Sequence, residues 1–382
     1  MKPFDWRGGD APPTNSESGE IQLDHVTFRY GGVLNPVLDG IDLQVNSGEF
    51  VSILGRSGSG KTTILRVLAG FERVEAGYVR IGGRLLGSSW AHQPPDRRRV
   101  GLVFQDYALF PHLTVAGNVG FGVLSGYKHE RRRRVDRVLE MAGLGDLEQR
   151  YPHELSGGQQ QRVAVARALA PEPLVMLMDE PFSNLDRDLR DGLRRDVKAL
   201  ISESSTTTIL VTHDREEALA ISDRVAVMGS GRIEQIGSPE DVYMNPVSTL
   251  VAAMVGQGEL LKGNVVNGLV ATEAGLLQCL APKINNGRSR IPLTDGQQVQ
   301  VLIRSEDLEI SNQPTDGMAD HLEAHVQYVE FQGESTICGA QLGSGTVVHV
   351  RLPNGSPIPQ SATVRLRVTS DRVFTAFPVN DS

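Results

Sequence analysis

Between residues 21 and 237, short apolar and β-branched runs alternate with stretches whose apolar positions recur at helical spacing. Residues 50–54, 100–104, 174–178 and 208–212 are almost continuously apolar and end in polar residues or glycine, as strands buried on both faces do. This pattern predicts a largely parallel sheet covered by helices, with ligands bound beyond the carboxyl ends of its strands. Residues 21–30 alternate apolar with polar and predict a flanking antiparallel strand. After Ser238 the pattern changes. Residues 239–260 predict a short helical connection, and residues 298–303, 324–331, 346–352 and 362–368 predict short strands. Turn signals separate those strands at Asp295-Gly296, Gly343-Ser344-Gly345 and Pro353-Asn354-Gly355. A small β-barrel of the oligonucleotide-binding-like type follows. The expected plan is a tail over residues 1–20, an α/β domain over 21–237, a helical linker over 238–258 and a barrel over 259–382.

Composition narrows the function. The 382 residues carry 38 Lys+Arg against 46 Asp+Glu, a net charge of −8, which gives no general attraction to nucleic acid. With 40% hydrophobic and 22% charged residues the chain is an ordinary globular protein long enough for two domains. No apolar run approaches the roughly 18 to 20 residues of a membrane-spanning helix. The first twenty residues lack the apolar core of a secretory signal and read as a flexible tail. Cys279 and Cys338 fit no metal or redox spacing and read as plain thiols of a reducing compartment.

Gly55-Arg56-Ser57-Gly58-Ser59-Gly60-Lys61-Thr62 matches G-x-x-x-x-G-K-[ST] between a predicted strand and the helical pattern over residues 63–69. Glycines let successive backbone N–H groups converge on phosphate oxygens, and the helix aims its positive end at the same anion. Lys61 would hold the β- and γ-phosphates and Thr62 would offer its hydroxyl to Mg²⁺. Downstream, the apolar run over residues 174–178 ends in Asp179-Glu180. Asp179 can enter the magnesium shell, and Glu180, on the opposite side of the strand, can polarise a water for attack on the γ-phosphate. Taken alone, that run equally suits a strand ending in solvated acids; the phosphate loop upstream favours the ligand reading.

Leu155-Ser156-Gly157-Gly158-Gln159-Gln160-Gln161-Arg162 opens a second helix. Ser156 and Gln159 satisfy the capping-box rule, so a well-capped helix and a second anion site are both open. Two glycines in the first turn cost up to about 1 kcal/mol each against alanine, which capping alone does not explain.

The ordered set GRSGSGKT, Gln105 in VFQD, LSGGQQQR, LVMLMDE, SNLD and His213 in LVTHD resembles the ATP-binding subunit of ATP-binding-cassette (ABC) transporters over residues 21–254. The resemblance implies a P-loop ATPase cassette with a helical subdomain. Tyr30 then stacks on adenine, and Gly55, Ser57, Gly58, Gly60, Lys61, Thr62 and Thr63 form the phosphate loop. Gln105 touches Mg²⁺ and the attacking water and signals to the membrane subunits. Ser156, Gly157 and Gly158 close on ATP held by a partner protomer. Asp179 and Glu180 are metal-shell acid and catalytic base, Asp186 couples the two sites, and His213 is the switch histidine. A lone histidine after a strand is more often structural, but its place on the same sheet edge as Asp179 and Glu180 reverses that preference.

The resemblance further implies a head-to-tail homodimer with two ATP, bound to transmembrane permease subunits and acting indirectly with a solute-binding protein. Such a chain is peripheral to the cytoplasmic face of the membrane. The stretch 106–115, apolar for a loop, suits either packing in the helical subdomain or permease docking. Arg131 to Arg134 suit a solvated helix face or a lipid headgroup contact. The C-terminal strands resemble the TOBE-type barrel of importers for ferric iron, polyamines, sulfate, molybdate and sugars. There Arg304-Ser305-Glu306-Asp307 departs from the group's Arg-Pro-Glu at Ser305, which puts the local turn in question. YALFPHLTV and Tyr151-Pro152-His153-Glu154 resemble ferric-iron importers most closely, although relatives share most of those letters, and the resemblance implies ferric iron as the cargo. The competing classes are a soluble cassette protein that remodels macromolecular complexes, which usually carries two cassettes per chain, a nucleic-acid or metabolite-binding regulator suggested by the barrel, and a simple phosphotransferase, which would leave LSGGQQQR without a task.

Overall fold

The computed structural model describes residues 18–124, 127–183, 187–284, 289–290, 292–311, 322–356, 362–369 and 373–379. The chain folds into two units, one of residues up to 51 with 60–212 and one of residues 52–59 with 213–382. In the first unit, β1 (Ile21–Phe28) pairs antiparallel with β2 (Leu38–Val45) and, on its other side, with β4 (Ala76–Ile81), which pairs with β5 (Arg84–Gly87). The inward positions of β1, Ile21, Leu23, Val26 and Phe28, are buried, as the alternating pattern requires. β3 (Phe50–Gly55) carries the chain from the first unit into the second, and α1 (Lys61–Ala69) lies in the first.

β6 (Val100–Val103), β7 (Val175–Asp179) and β8 (Thr207–Thr212) form a parallel ladder with β7 in the middle. Val175, Met176, Leu177 and Met178 are 0% exposed, which is why this strand reads as an unbroken apolar run. The remaining helices of this unit are α2 (Val115–Gly120), α3 (Lys128–Met141), α4 (Gly157–Leu169) and α5 (Arg187–Ser204). Within α3, Arg132 is paired with Asp136 and Glu148, each at 2.7 Å, and Arg134 with Glu172 at 3.2 Å.

The second unit opens with α6 (Arg215–Ile221), the antiparallel hairpin β9 (Arg224–Gly229) and β10 (Arg232–Gly237), then α7 (Pro239–Met244) and α8 (Thr249–Val255). The helical reading of residues 239–260 stops early. Gly256 is fully extended, and residues from Gly258 enter β11 (Gly258–Val266), which pairs along its length with β17 (Gln298–Arg304). Pairing partners more than thirty residues away override local helical spacing.

The all-β end is the barrel-like fold its sequence predicts. One sheet contains β11, β12 (Leu269–Thr272), β13 (Gly275–Leu277), β14 (Cys279–Leu280), β17 and the last strand of the chain. Between β14 and β17 lies the short pair β15 (Lys283–Ile284) and β16 (Ser289–Arg290). The other sheet contains β18 (Leu308–Ser311), β19 (Leu322–Phe331), β20 (Ser335–Gln341), β21 (Val347–Pro353) and β22 (Thr363–Val368), and β23 (Phe374–Pro378) closes the first. Both sheets fill one core containing Leu261, Val301, Cys338, Val350, Leu366 and Ala376. Gly296, Gly345 and Gly355 take positive φ at the three predicted turns. Ser305 does not break the turn at residues 305–307: the Arg304 N–H donates to Asp307 Oδ2 at 2.7 Å and caps it.

Candidate functional site

Two glycines shape the phosphate loop. Gly58 and Gly60 have φ of 81° and 103°, a region that other residues enter at a cost of about 1 kcal/mol or more. Gly60 is the N-cap of α1, so the helix begins at Lys61 with its N–H groups aimed out of the loop. Lys61 is 5% exposed. Burial lowers the pKa of its ammonium, against the pull of the Glu180 and Asp179 carboxylates. Burial also raises the Asp179 carboxyl, while the hydrogen bond from Thr62 opposes the shift.

The Thr62 hydroxyl donates to Asp179 Oδ1 at 3.2 Å, so residues 117 positions apart place a hydroxyl and a carboxylate side by side. Together with Leu65, Arg66, Phe71, Leu102 and Phe104 they line a cavity of about 350 Å³. Gln105 follows Phe104 directly and is exposed. Glu180 has φ of 43°, a left-handed conformation rare outside glycine. Its N–H donates to Val211 O at 2.9 Å, and its own carbonyl accepts from the Ser183 N–H and hydroxyl at 3.2 and 2.9 Å. The backbone therefore turns sharply at the strand end, and backbone bonds hold the turn in place.

Tyr30 lies just past β1, its ring edge-on to Phe28 at 4.8 Å and its hydroxyl 3.4 Å from Thr63 Oγ1. His213 follows β8 and is exposed. Within the second unit it lines, with Gly55, Arg56, Ser57, Thr249, Leu250 and Met254, a cleft of about 750 Å³. Ser156 caps α4: its N–H donates to Gln159 Oε1 at 2.9 Å and its Oγ accepts from the Gln159 N–H at 3.4 Å. The capping box is thus formed, and the Ser156–Gly158 turn is not part of the cavity lined by Thr62 and Asp179. Asp186 lies outside the described residues.

Three residues that the sequence reading passed over organise the surroundings. Asn118, 0% exposed, accepts from the Phe110 N–H at 2.8 Å and donates to Phe110 O, Leu113 O and Thr114 O, each at 3.1 Å. Arg167 donates to Ala108 O at 2.7 Å and Tyr107 O at 2.9 Å, where Tyr107 and Ala108 both have positive φ. These bonds fix the 106–115 stretch beside an apolar groove of about 570 Å³ lined by Phe104, Phe110, Phe121, Arg167 and Pro171. Arg98 is the third. A buried side chain bonded to distant carbonyls leaves no periodic trace in a sequence.

A glycine loop feeding a helix whose Thr62 donates to the carboxylate at the tip of a parallel strand defines a P-loop nucleoside triphosphatase. The pattern of the ABC transporter family matches residues 38–183 and that of the TOBE domain residues 301–375. A Fe(3+) ions import ATP-binding protein of Fusobacterium nucleatum subsp. nucleatum is 38% identical over 361 residues, 93% of each chain. One of the same description from Serratia marcescens is 41% identical over 84% of this chain and 91% of its own. A spermidine/putrescine import ATP-binding protein of Nitratidesulfovibrio vulgaris is 42% identical over 85% and 87%. Among solved structures, a dimeric ATP-binding cassette in a post-hydrolysis state bound to ADP and Pi is 33% identical with a TM-score of 0.50, covering 57% of this chain and 98% of that one. CbiO1 of Clostridium perfringens, part of an ABC transporter complex, is 30% identical with a TM-score of 0.54, over 58% and 89%. The chain belongs to the ATP-binding proteins of the ABC transporter family, which are ATPases, and it carries a TOBE domain over residues 301–375. No helix among the described residues is long and apolar enough to cross a membrane.

Proposed function

We propose that this chain is the ATPase subunit of an importer for ferric iron, working as a head-to-tail homodimer against two permease subunits at the cytoplasmic face of the membrane, with a solute-binding protein delivering the cargo. The observation that carries the dimer is that the cavity lined by Thr62 and Asp179 does not include the Ser156–Gly158 turn of the same chain. Glycines at the first two positions of α4 let an anion approach its backbone N–H groups, which suits the γ-phosphate of a facing copy, and the dimeric cassettes among the similar solved structures support that arrangement. Relatives described as Fe(3+) importers support the cargo.

Residue by residue, the proposal gives the phosphates to Gly55, Ser57, Gly58, Gly60, Lys61, Thr62 and Thr63, and the adenine to Tyr30. Thr62 and Asp179, two oxygen donors 3.2 Å apart, suit a hard divalent ion, and Gln105 is the third candidate for its shell. When bound, Mg²⁺ would offset charge on the phosphate oxygens. Glu180 accepts a proton from the attacking water, and its fixed backbone turn keeps the carboxylate beside Asp179 without sharing its place. His213 holds the γ-phosphate side of that reaction, and Asp186 couples the two sites of the dimer. ATP bound across the interface closes the dimer; hydrolysis removes the bridging group and lets it reopen. The apolar groove under the 106–115 stretch receives the permease. The same reading keeps residues 1–20 as a tail, 21–237 as the nucleotide-binding domain, 238–258 as the linker and 259–382 as the regulatory barrel.

Replacing the base tests the scheme. Glu180→Gln should lower ATP turnover by at least about 100-fold and hold an ATP-bound dimer visible by sedimentation. Turnover at the wild-type rate would remove Glu180 from its role, and single particles in MgATP would remove the dimer. A second cargo has its own support in the 42% identical polyamine-import relative.

A further inference from the structure

Arg98 is 2% exposed, although it sits in the run Asp96-Arg97-Arg98-Arg99. Its guanidinium is spread over four backbone carbonyls. Nε donates to Gln93 O at 2.7 Å, Nη1 to Val67 O at 2.8 Å and Leu68 O at 3.0 Å, and Nη2 to Leu86 O at 3.0 Å. Val67 and Leu68 belong to the last turn of α1, the nine-residue helix whose first residues are Lys61 and Thr62. Carbonyls at a helix C-terminus have no partner within the helix and carry the negative end of its dipole, so a cation there is electrostatically favoured. Burial of this cation pulls its pKa down to about 10, and the partners that receive it are carbonyl dipoles.

The sequence reserves room for this contact. Gly70, the C-cap of α1, has φ of 89°, and a Cβ there would collide with Arg98 Nε and lie 2.9 Å from Gln93 O. Two residues after Arg98 the chain enters β6, whose Leu102 and the following Phe104 line one cavity with Thr62 and Asp179. One side chain therefore ties the far end of the phosphate-loop helix to the root of the strand that leads to Gln105.

We propose that Arg98 is a positioning residue for ATP: by clamping the carbonyl end of α1 it fixes the direction in which Lys61 and Thr62 meet the phosphates. The inference rests on the phosphate-loop reading above. A planar fork of five N–H donors can satisfy carbonyls on three sides, whereas a lysine has three donors on one nitrogen and can restore only part of the clamp.

The test uses the full-length chain, with KM and kcat for MgATP and binding of a fluorescent ATP analogue measured for Arg98→Met, Arg98→Lys and a control, Leu139→Ala in α3. We expect KM and Kd to rise about tenfold in Arg98→Met and about threefold in Arg98→Lys, as small misplacements of binding groups do, with kcat at saturation falling less than KM rises. A stability role alone would lower apparent kcat through lost active protein and leave KM at the wild-type value, as expected of the control. Wild-type KM and Kd in Arg98→Met overturn the proposal; should that variant not fold, wild-type values in Arg98→Lys do so. If instead Lys61→Ala binds the analogue as tightly as wild type, the phosphate-loop reading itself fails.

Discussion

At the scale of single residues, two buried cysteines show how environment sets chemistry. Burial in the barrel pushes the Cys279 thiol up to about 12 and raises that of Cys338. For an acid raised in this way the folded state prefers the protonated form. The resulting stability is present below the ordinary thiol pKa and fades as pH climbs toward the folded value. The native chain should therefore leave both thiols unmodified by iodoacetamide at pH 8, and denaturant should release both; rapid labelling of the folded protein would contradict the burial. The same scale shows what a sequence hides. Lys61, Thr62, Asp179 and Glu180 are legible because a G-x-x-x-x-G-K-[ST] string and an apolar run ending in two acids single them out. The left-handed backbone at Glu180 is not, because it is imposed by bonds to Val211 and Ser183 rather than by its own side chain. Arg98 hides for another reason: among three charged neighbours it looks like surface, and only the carbonyls of Val67, Leu68, Leu86 and Gln93 distinguish it.

At the scale of elements, α7 is clasped to the barrel. The Arg304 guanidinium lies 3.9 Å from the centre of the Tyr243 ring and donates to Tyr243 O at 3.0 Å, while the Tyr243 hydroxyl donates to Glu306 at 2.6 Å. Gly256 leaves space for this stack, since a Cβ there would collide with Arg304 Nη1 and lie 2.8 Å from the Tyr243 ring. Arg304→Met should cost about 2–4 kcal/mol, because it removes a cation–aromatic contact and a buried hydrogen bond together. Calorimetry should show the loss as a lower unfolding temperature, and an unchanged transition would mean that the clasp contributes nothing. Strands such as β7 and β8 are legible because burial on both faces fills them with apolar and β-branched residues. The start of β11 is not, because its pairing partner β17 lies far along the chain and no local period announces it.

At the scale of the whole molecule, the ATPase motifs fix the engine but leave the cargo to the proteins around it. If the chain serves ferric iron, deleting its gene should slow growth on limiting ferric iron by severalfold while leaving growth limited by polyamine untouched. The wild-type gene, but not Glu180→Gln, should restore it, and a defect confined to polyamine limitation would reassign the cargo. A last consequence concerns how such an engine meets its load. Asn118 and Arg167 hold the 106–115 rim through six hydrogen bonds made within this chain alone. The rim is thus shaped before any visitor arrives, and a helix entering the groove has little ordering left to impose. If the groove receives the permease as proposed, recognition there resembles a socket more than a handshake, and loosening the socket at Asn118 should shorten the stay of the helix plugged into it.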